Sequence, residues 1–253
     1  MKTLTNPIAR RVIFFALLLL AWQGLVWAKL WPEYIFPSPM GVGRALLRGL
    51  QNGSLLIGIV ASLQRLLLGF AISAVLGIGL GLALGRNRLL NETLGSLILG
   101  LQALPSICWL PLALIWFGLS ETAMIFVVVM GALFSITLAA EAGVKNTPPL
   151  YLRAAANMGA KGLNLYRWVI LPAALPAIIT GLKMGWSFAW RSLMAAELLY
   201  VSIGLGHLLT MGRELNDMSQ VIAVMLVIIA LGLLVDRLVF GKIEASARER
   251  WGL

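Results

Sequence analysis

Arg65, Lys183, Arg191 and Glu197 are charged residues standing within long apolar stretches. A charge at the centre of a bilayer costs at least about 2.5–3.5 kcal/mol on insertion scales, so such a group must pair or face a polar path. Two readings follow. Arg65, Lys183 or Arg191 lines a route that favours an anion, or each pairs between helices or snorkels to headgroups. Arg191 and Glu197 are six residues apart and so lie on different faces of one helix. Each is therefore expected to find its partner on another helix. Catalysis has little to work with. Cys108 and His207 are the single cysteine and the single histidine, which excludes an intramolecular disulfide and any multi-Cys or His-rich metal site. A nucleophile with an adjacent base needs a constellation that these two isolated residues do not form. Cys108 is read as a small apolar filler and His207 as a surface residue. No G-x4-G-K-[ST] motif occurs. Gly159 and Gly162 flank Lys161, but no Ser or Thr follows that lysine. Any ATP used by this chain must be bound by another one, and no cofactor of its own is expected.

The elements that must hold those charges are membrane helices. Of 253 residues, 60% are hydrophobic and 12% charged, against about 45–50% and 25% in soluble domains. The mean hydropathy of +0.92 agrees. About 20 apolar residues cross a bilayer. Six stretches qualify, at about 12–31, 60–85, 94–117, 121–141, 172–198 and 219–240. The runs are continuous rather than alternating, so they are read as helices, whose backbone groups are satisfied internally. The third and fourth form a tight hairpin through Gly118-Leu119-Ser120. The first is read as a retained peripheral span, since its core is longer than that of a cleaved signal. Residues 1–253 make one membrane domain. Gly77, Gly79, Gly81 and Gly85 in the second span are read as allowing close backbone approach. Asp217, or else Ser219, is expected to cap the sixth span.

The net charge of +10 comes from 20 Lys+Arg against 10 Asp+Glu. No basic stripe interleaves with aromatics, so nucleic acid is not the expected partner; the lipid bilayer is. With the N-terminus inside, Lys2, Arg10, Arg11, Arg86, Arg88, Lys145, Arg153, Lys161, Arg167, Arg237, Lys242, Arg248 and Arg250 fall on the cytoplasmic side. Lys29, Arg44, Arg48 and Arg213 fall outside. The asymmetry places both termini in the cytoplasm.

The cytoplasmic loop at 142–171 carries the most information. Thr147 is expected to cap a short helix over 148–158, with Pro148 in its first position and Gly159 ending it in the left-handed conformation. Ala154, Ala155 and Ala156 would make a flat side; Leu150, Tyr151 and Met158 add apolar surface. So short a helix is marginal alone. It either docks into a partner or packs on its own bundle.

The pattern Ala154-Ala155-x3-Gly159-x9-Val169-x-Leu171-Pro172 resembles the EAA loop of permease subunits of bacterial ABC importers, Glu-Ala-Ala-x3-Gly-x9-Ile-x-Leu-Pro. Arg153 stands where that family often has Glu, and Val169 is a conservative departure. The resemblance extends over nearly the whole chain, through Pro37-Ser38-Pro39, Ser62-Leu63-Gln64-Arg65, Leu104-Pro105 and Trp116-Phe117-Gly118. Trp190-Arg191, Ala195-Ala196-Glu197, Gly204-Leu205-Gly206 and Asp236-Arg237 look like the nitrate/sulfonate/taurine/bicarbonate branch. The resemblance implies an all-α polytopic bundle of about six spans with a cytoplasmic coupling helix, in a bacterial cytoplasmic membrane. It implies three partners: an extracytoplasmic binding protein, cytoplasmic ATPase subunits, and a second permease subunit, taken as an identical copy. It implies a coupling role for Arg153, Ala154, Ala155 and Gly159, with Leu171 and Pro172 restarting the next helix. It leaves the transported solute open among sulfonates, nitrate, taurine and heterocyclic precursors. Two other classes fit the residues less well. A proton-coupled secondary transporter would favour a series of intramembrane carboxylates or histidines, and only Glu197 is well placed. An intramembrane enzyme lacks its constellation.

Overall fold

A computed structural model describes residues 7–199 and 202–251, and its described residues are helical apart from short turns. In chain order the helices are α1 (Pro7–Trp27), α2 (Pro39–Gln51), α3 (Ser54–Arg86), α4 (Arg88–Gln102) and α5 (Ser106–Phe117). They continue as α6 (Glu121–Lys145), α7 (Pro149–Asn157), α8 (Gly162–Leu199), α9 (Leu205–Glu214) and α10 (Met218–Ser246). Among the described residues five helices are long and apolar enough to cross a membrane, or six if α4 and α5 together count as one span.

The chain divides into two compact units, one running up to Val60 and including Ser202–Ile229, the other starting at Ala61 and at Ala230. In the first unit, Val42 and Ala45 of α2 are buried with Ala223 of α10, and Trp22 of α1 packs on them. The Trp22 indole N–H donates to the Pro37 carbonyl at 3.0 Å. Asp217 caps α10 as expected, accepting from the Gln220 N–H at 3.0 Å, and Arg48 reaches it at 3.5 Å. His207 is half-buried on α9.

The second unit is held by α3, α6 and α8. Gly69, Ser73, Gly77, Gly81 and Gly85 recur every four residues and form one face of α3. That face lies directly on α6. A Cβ at Gly77 would meet the Ile136 side chain at 2.9 Å, and one at Gly85 would meet Val144 at 2.5 Å. The Ser73 hydroxyl lies 3.2 Å from the Val129 carbonyl across the same seam. Gly79 is on another face and meets nothing within 4 Å. Close approach of backbones is what associates helices where lipid leaves no hydrophobic driving force. Leu66, Val128, Ala132, Ile136, Ala189 and Leu193 form the buried centre of this unit.

Three expectations change. The stretch 94–117 is not one straight span: α4 and α5 are bent by 103° at Ala103–Pro105. Pro105 disfavours helix at Leu104 and supplies no N–H. Leu171 and Pro172 do not restart a helix, because α8 already begins at Gly162 and runs through them. Tyr166–Ile170 is a widened π-type turn, which takes up the missing Pro172 donor without ending the helix. Cys108 is an exposed residue in the first turn of α5, not a core filler.

Candidate functional site

Two regions gather the residues singled out above. The first is the loop around α7, which spans Pro149–Asn157, close to the expected 148–158. Its cap differs from expectation. Thr147 is buried and its hydroxyl donates back to the Gly143 carbonyl at 3.2 Å, so it closes α6 instead of opening α7. Gly159 does end the helix, at φ +80°. Its N–H reaches the Ala156 carbonyl at 3.0 Å, and Ala160 N–H reaches Ala155 at 2.9 Å. No atom would touch a Cβ at Gly159, so the requirement there is conformational, not steric.

The short helix is divided between two surfaces. Ala155 is buried and Leu152 packs on the cluster of Ala140, Val144, Ile170 and Ala174. That anchors α7 to α6 and α8. The other side is open: Leu150 is 71% exposed, Met158 86%, Leu163 82% and Trp168 69%. Ala154, Tyr151, Met158, Asn164, Trp168 and Pro172 line a wide groove of about 740 Å³. Arg153 is exposed and forms no ion pair among the described residues. The loop thus joins a helix fixed to two membrane helices with an apolar face left open among the described residues.

The second region is the set of charges. Arg65 of α3 and Glu197 of α8 are buried and paired at 3.0 Å. The Ser62 hydroxyl lies 2.8 Å from both Glu197 oxygens. Arg65 also reaches Glu121, in the first turn of α6, at 2.8 Å. One guanidinium therefore ties α3, α6 and α8 together. Lys183 of α8 lies 3.3 Å from Glu244 and 3.6 Å from Asp236, both on α10. For these three sites the interhelical reading holds. Glu121, Asp236 and Glu244 were not singled out as partners; pairing between residues so far apart in sequence leaves no local signal.

Arg191 is different. It is exposed, and it forms no ion pair among the described residues. Its contacts stay on α8 itself: Nε donates to the Ser187 carbonyl at 3.1 Å and the guanidinium lies over the Phe188 ring at 4.9 Å. Among the described residues the partner expected on another helix is not found. Thr180, Met184, Ser187 and Arg191 follow one another along a single exposed face of α8. Polar groups on a membrane helix usually turn from lipid toward protein or water.

A family model described as "Binding-protein-dependent transport system inner membrane component" matches residues 73–240. The taurine transport system permease protein of Escherichia coli is 31% identical over 239 residues, covering 91% of this chain and 87% of that one. The nitrate import permease protein of Leptolyngbya laminosa is 31% identical over 250 residues, covering 94% and 87%. Among solved structures, a chain of the MetNI methionine ABC transporter in inward facing conformations superposes with a TM-score of 0.68 at 19% identity. That match covers 77% of this chain and 96% of the other, and is a likeness of fold.

Proposed function

This chain belongs to the family of binding-protein-dependent transport system inner membrane components, and from that membership we propose how it works and what it carries. It is a multi-pass membrane protein and a permease subunit, and in ABC importers the ATPase is a separate subunit. The proposed cargo is a small anion, of the sulfonate, nitrate or taurine kind. The naming of relatives for taurine and nitrate supports that class. So does the exposed Arg191, which has no acidic partner among the described residues and shares its helix face with Thr180 and Ser187.

The proposed mechanism is alternating access. An extracytoplasmic binding protein delivers the solute to a pair of identical permease subunits. Both termini lie in the cytoplasm, on the side of the basic loops. ATP, bound by the partner ATPase and not by this chain, drives closure of that partner on α7, and hydrolysis resets the pair. The observation that carries the coupling role is the divided surface of α7. Its inner side, Ala155 and Leu152, is fixed to α6 and α8, while its outer side offers an apolar groove. A push on that groove is transmitted to two membrane helices, because packed interiors shift as units. Ala154 lines the groove. Arg153, exposed beside it, would meet the partner as a cation where relatives of the EAA type often place a glutamate.

Gly159→Leu tests this directly. A left-handed residue with a Cβ costs roughly 1–2 kcal/mol, enough to reorient a nine-residue helix without disturbing the spans. The expected result is normal membrane insertion, with ATP hydrolysis by the assembled transporter no longer coupled to uptake. Normal uptake by this variant would contradict the role given to the loop.

A further inference from the structure

We propose that the break between α4 and α5 is a small-anion site whose charge selectivity comes from Arg191, an inference that rests on the transport reading above. Three observations converge there. First, Ala103, Leu104 and Pro105 carry the break and are exposed. Non-helical backbone at membrane depth is tolerated only where it is buried in protein or lines a water-filled cavity. The Ala103 and Leu104 N–H groups bond to the Gly100 and Leu101 carbonyls at 3.2 Å and Pro105 has no N–H, so what lipid would leave unpaired here is the exposed Ala103 and Leu104 carbonyls, at a cost of several kcal/mol each. The break therefore faces water or protein, not lipid.

Second, a cavity of about 110 Å³ opens at the break, lined by Gln102, Ser106, Gly131, Phe134, Ser135 and Phe188 among others. About 10–15 Å³ on such a measure admits one water, so this one has room for a small solute. Its wall mixes apolar surface with an amide and two hydroxyls, the composition of a binding pocket. Gly131, on the cavity wall, lets α8 pack closely against α6. A Cβ there would collide with the Ser192 hydroxyl of α8 and come within 3.4 Å of Ser106. The three elements α5, α6 and α8 thus meet at one glycine.

Third, the wall supplied by α8 is Phe188, and the Arg191 guanidinium lies on that ring. Of the three intramembrane cations considered, Arg65 and Lys183 are neutralised by carboxylates and Arg191 is not. Its guanidinium does not itself line the cavity but lies 4.9 Å from the centre of the ring that does. A cation near a partly hydrated pocket raises the local concentration of anions and lowers that of cations. The Gln102 amide and the Ser106 hydroxyl then offer donors to a nitrate, bicarbonate or sulfonate oxygen, while the Ser135 hydroxyl is already donated to the Ala132 carbonyl at 2.9 Å. No acidic side chain lines the cavity.

The test uses the full chain in detergent with Cys108→Ser, which removes the single native thiol, and Ser106→Cys, which puts one at the cavity wall. Modification rates are compared for an anionic and a cationic methanethiosulfonate of similar size, each normalised to its rate with a thiol in solution. The site predicts faster reaction with the anionic reagent, by about fivefold for one unit charge several ångströms away in a hydrated cleft. Arg191→Gln abolishes that preference, and Arg191→Lys, which keeps the charge, retains most of it. Nitrate, bicarbonate or an alkylsulfonate slows the modification in the Arg191 form. Equal rates for the two reagents would overturn the site, as would failure of all three anions to protect. Inertness to both reagents would overturn the claim that the break is hydrated. Co-purification with the ATPase subunit is scored on the same samples. Its loss would point to failure of the transport reading itself, and its persistence with equal rates to failure of the anion site alone.

Discussion

Arg65→Ala is expected to lower the unfolding free energy of the detergent-solubilised chain by about 3–5 kcal/mol, the range for breaking one side of a buried pair. The loss comes less from the attraction removed than from the carboxylate left behind. Glu197 is 1% exposed, and it would keep the Ser62 hydroxyl but lose its guanidinium. Glu197→Ala should cost less. Arg65 then still reaches Glu121, whose side chain is 65% exposed. Ser62→Ala removes a hydrogen bond to a charged group, worth roughly 1.5–3 kcal/mol. The order Arg65→Ala, then Glu197→Ala, is readable from denaturant or thermal melts of the purified variants. Equal, small losses would mean that the three helices are not joined through this guanidinium.

Gly81→Val should be the most damaging change in the α3–α6 seam. A Cβ at Gly81 would stand 2.5 Å from both the Ala140 Cβ and the Thr137 carbonyl, and 2.9 Å from the Glu141 N–H nitrogen. Two of those neighbours are backbone, which cannot rotate away. Overpacking of this kind costs about 1–3 kcal/mol, at times more. Because the whole seam is built on a four-residue repeat, the strain at one position separates its neighbours as well. Gly79→Ala is the control: nothing lies within 4 Å of its Cβ, so stability should change little. Melting temperatures and monodispersity of the two variants check the contrast. Equal effects at the two positions would contradict the close approach of α3 to α6.

What could be read from the amino-acid sequence, and what could not, follows the range of the interactions. Span existence rests on local hydropathy, and the apolar runs do become helices. The small-residue stripe is also local, at a spacing of four, and Gly77, Gly81 and Gly85 take the role expected of them while Gly79 does not. Gly159 was legible because a helix end needs its φ. The 103° bend was not, because hydropathy passes over Leu104-Pro105 unchanged while the proline removes a donor. The continuous α8 was missed for the opposite reason: a widened turn before Pro172 rescues a helix that local rules would stop. Thr147 illustrates competition between two helix ends, since its hydroxyl can serve either the one behind or the one ahead. The ion pairs were anticipated only as a class. Arg65 and Lys183 find acids on α6, α8 and α10, distant in the chain, and no spacing rule connects them. Arg191 was expected to pair on another helix, and among the described residues it forms no ion pair.

We propose that ATP binding by a partner is converted into movement of this permease at the exposed face of α7. The most direct measurement is affinity recovery of the tagged chain from its native membranes in mild detergent, wild type beside Met158→Glu, with quantitative mass spectrometry and uptake in matched cells. Met158 is 86% exposed on the groove, so a carboxylate there leaves the fold alone but opposes an apolar partner surface. The wild type should bring down a nucleotide-binding subunit, and Met158→Glu should lose it by tenfold or more while inserting normally. Recovery of the chain without any nucleotide-binding subunit, together with uptake that survives ATP depletion, would contradict the account.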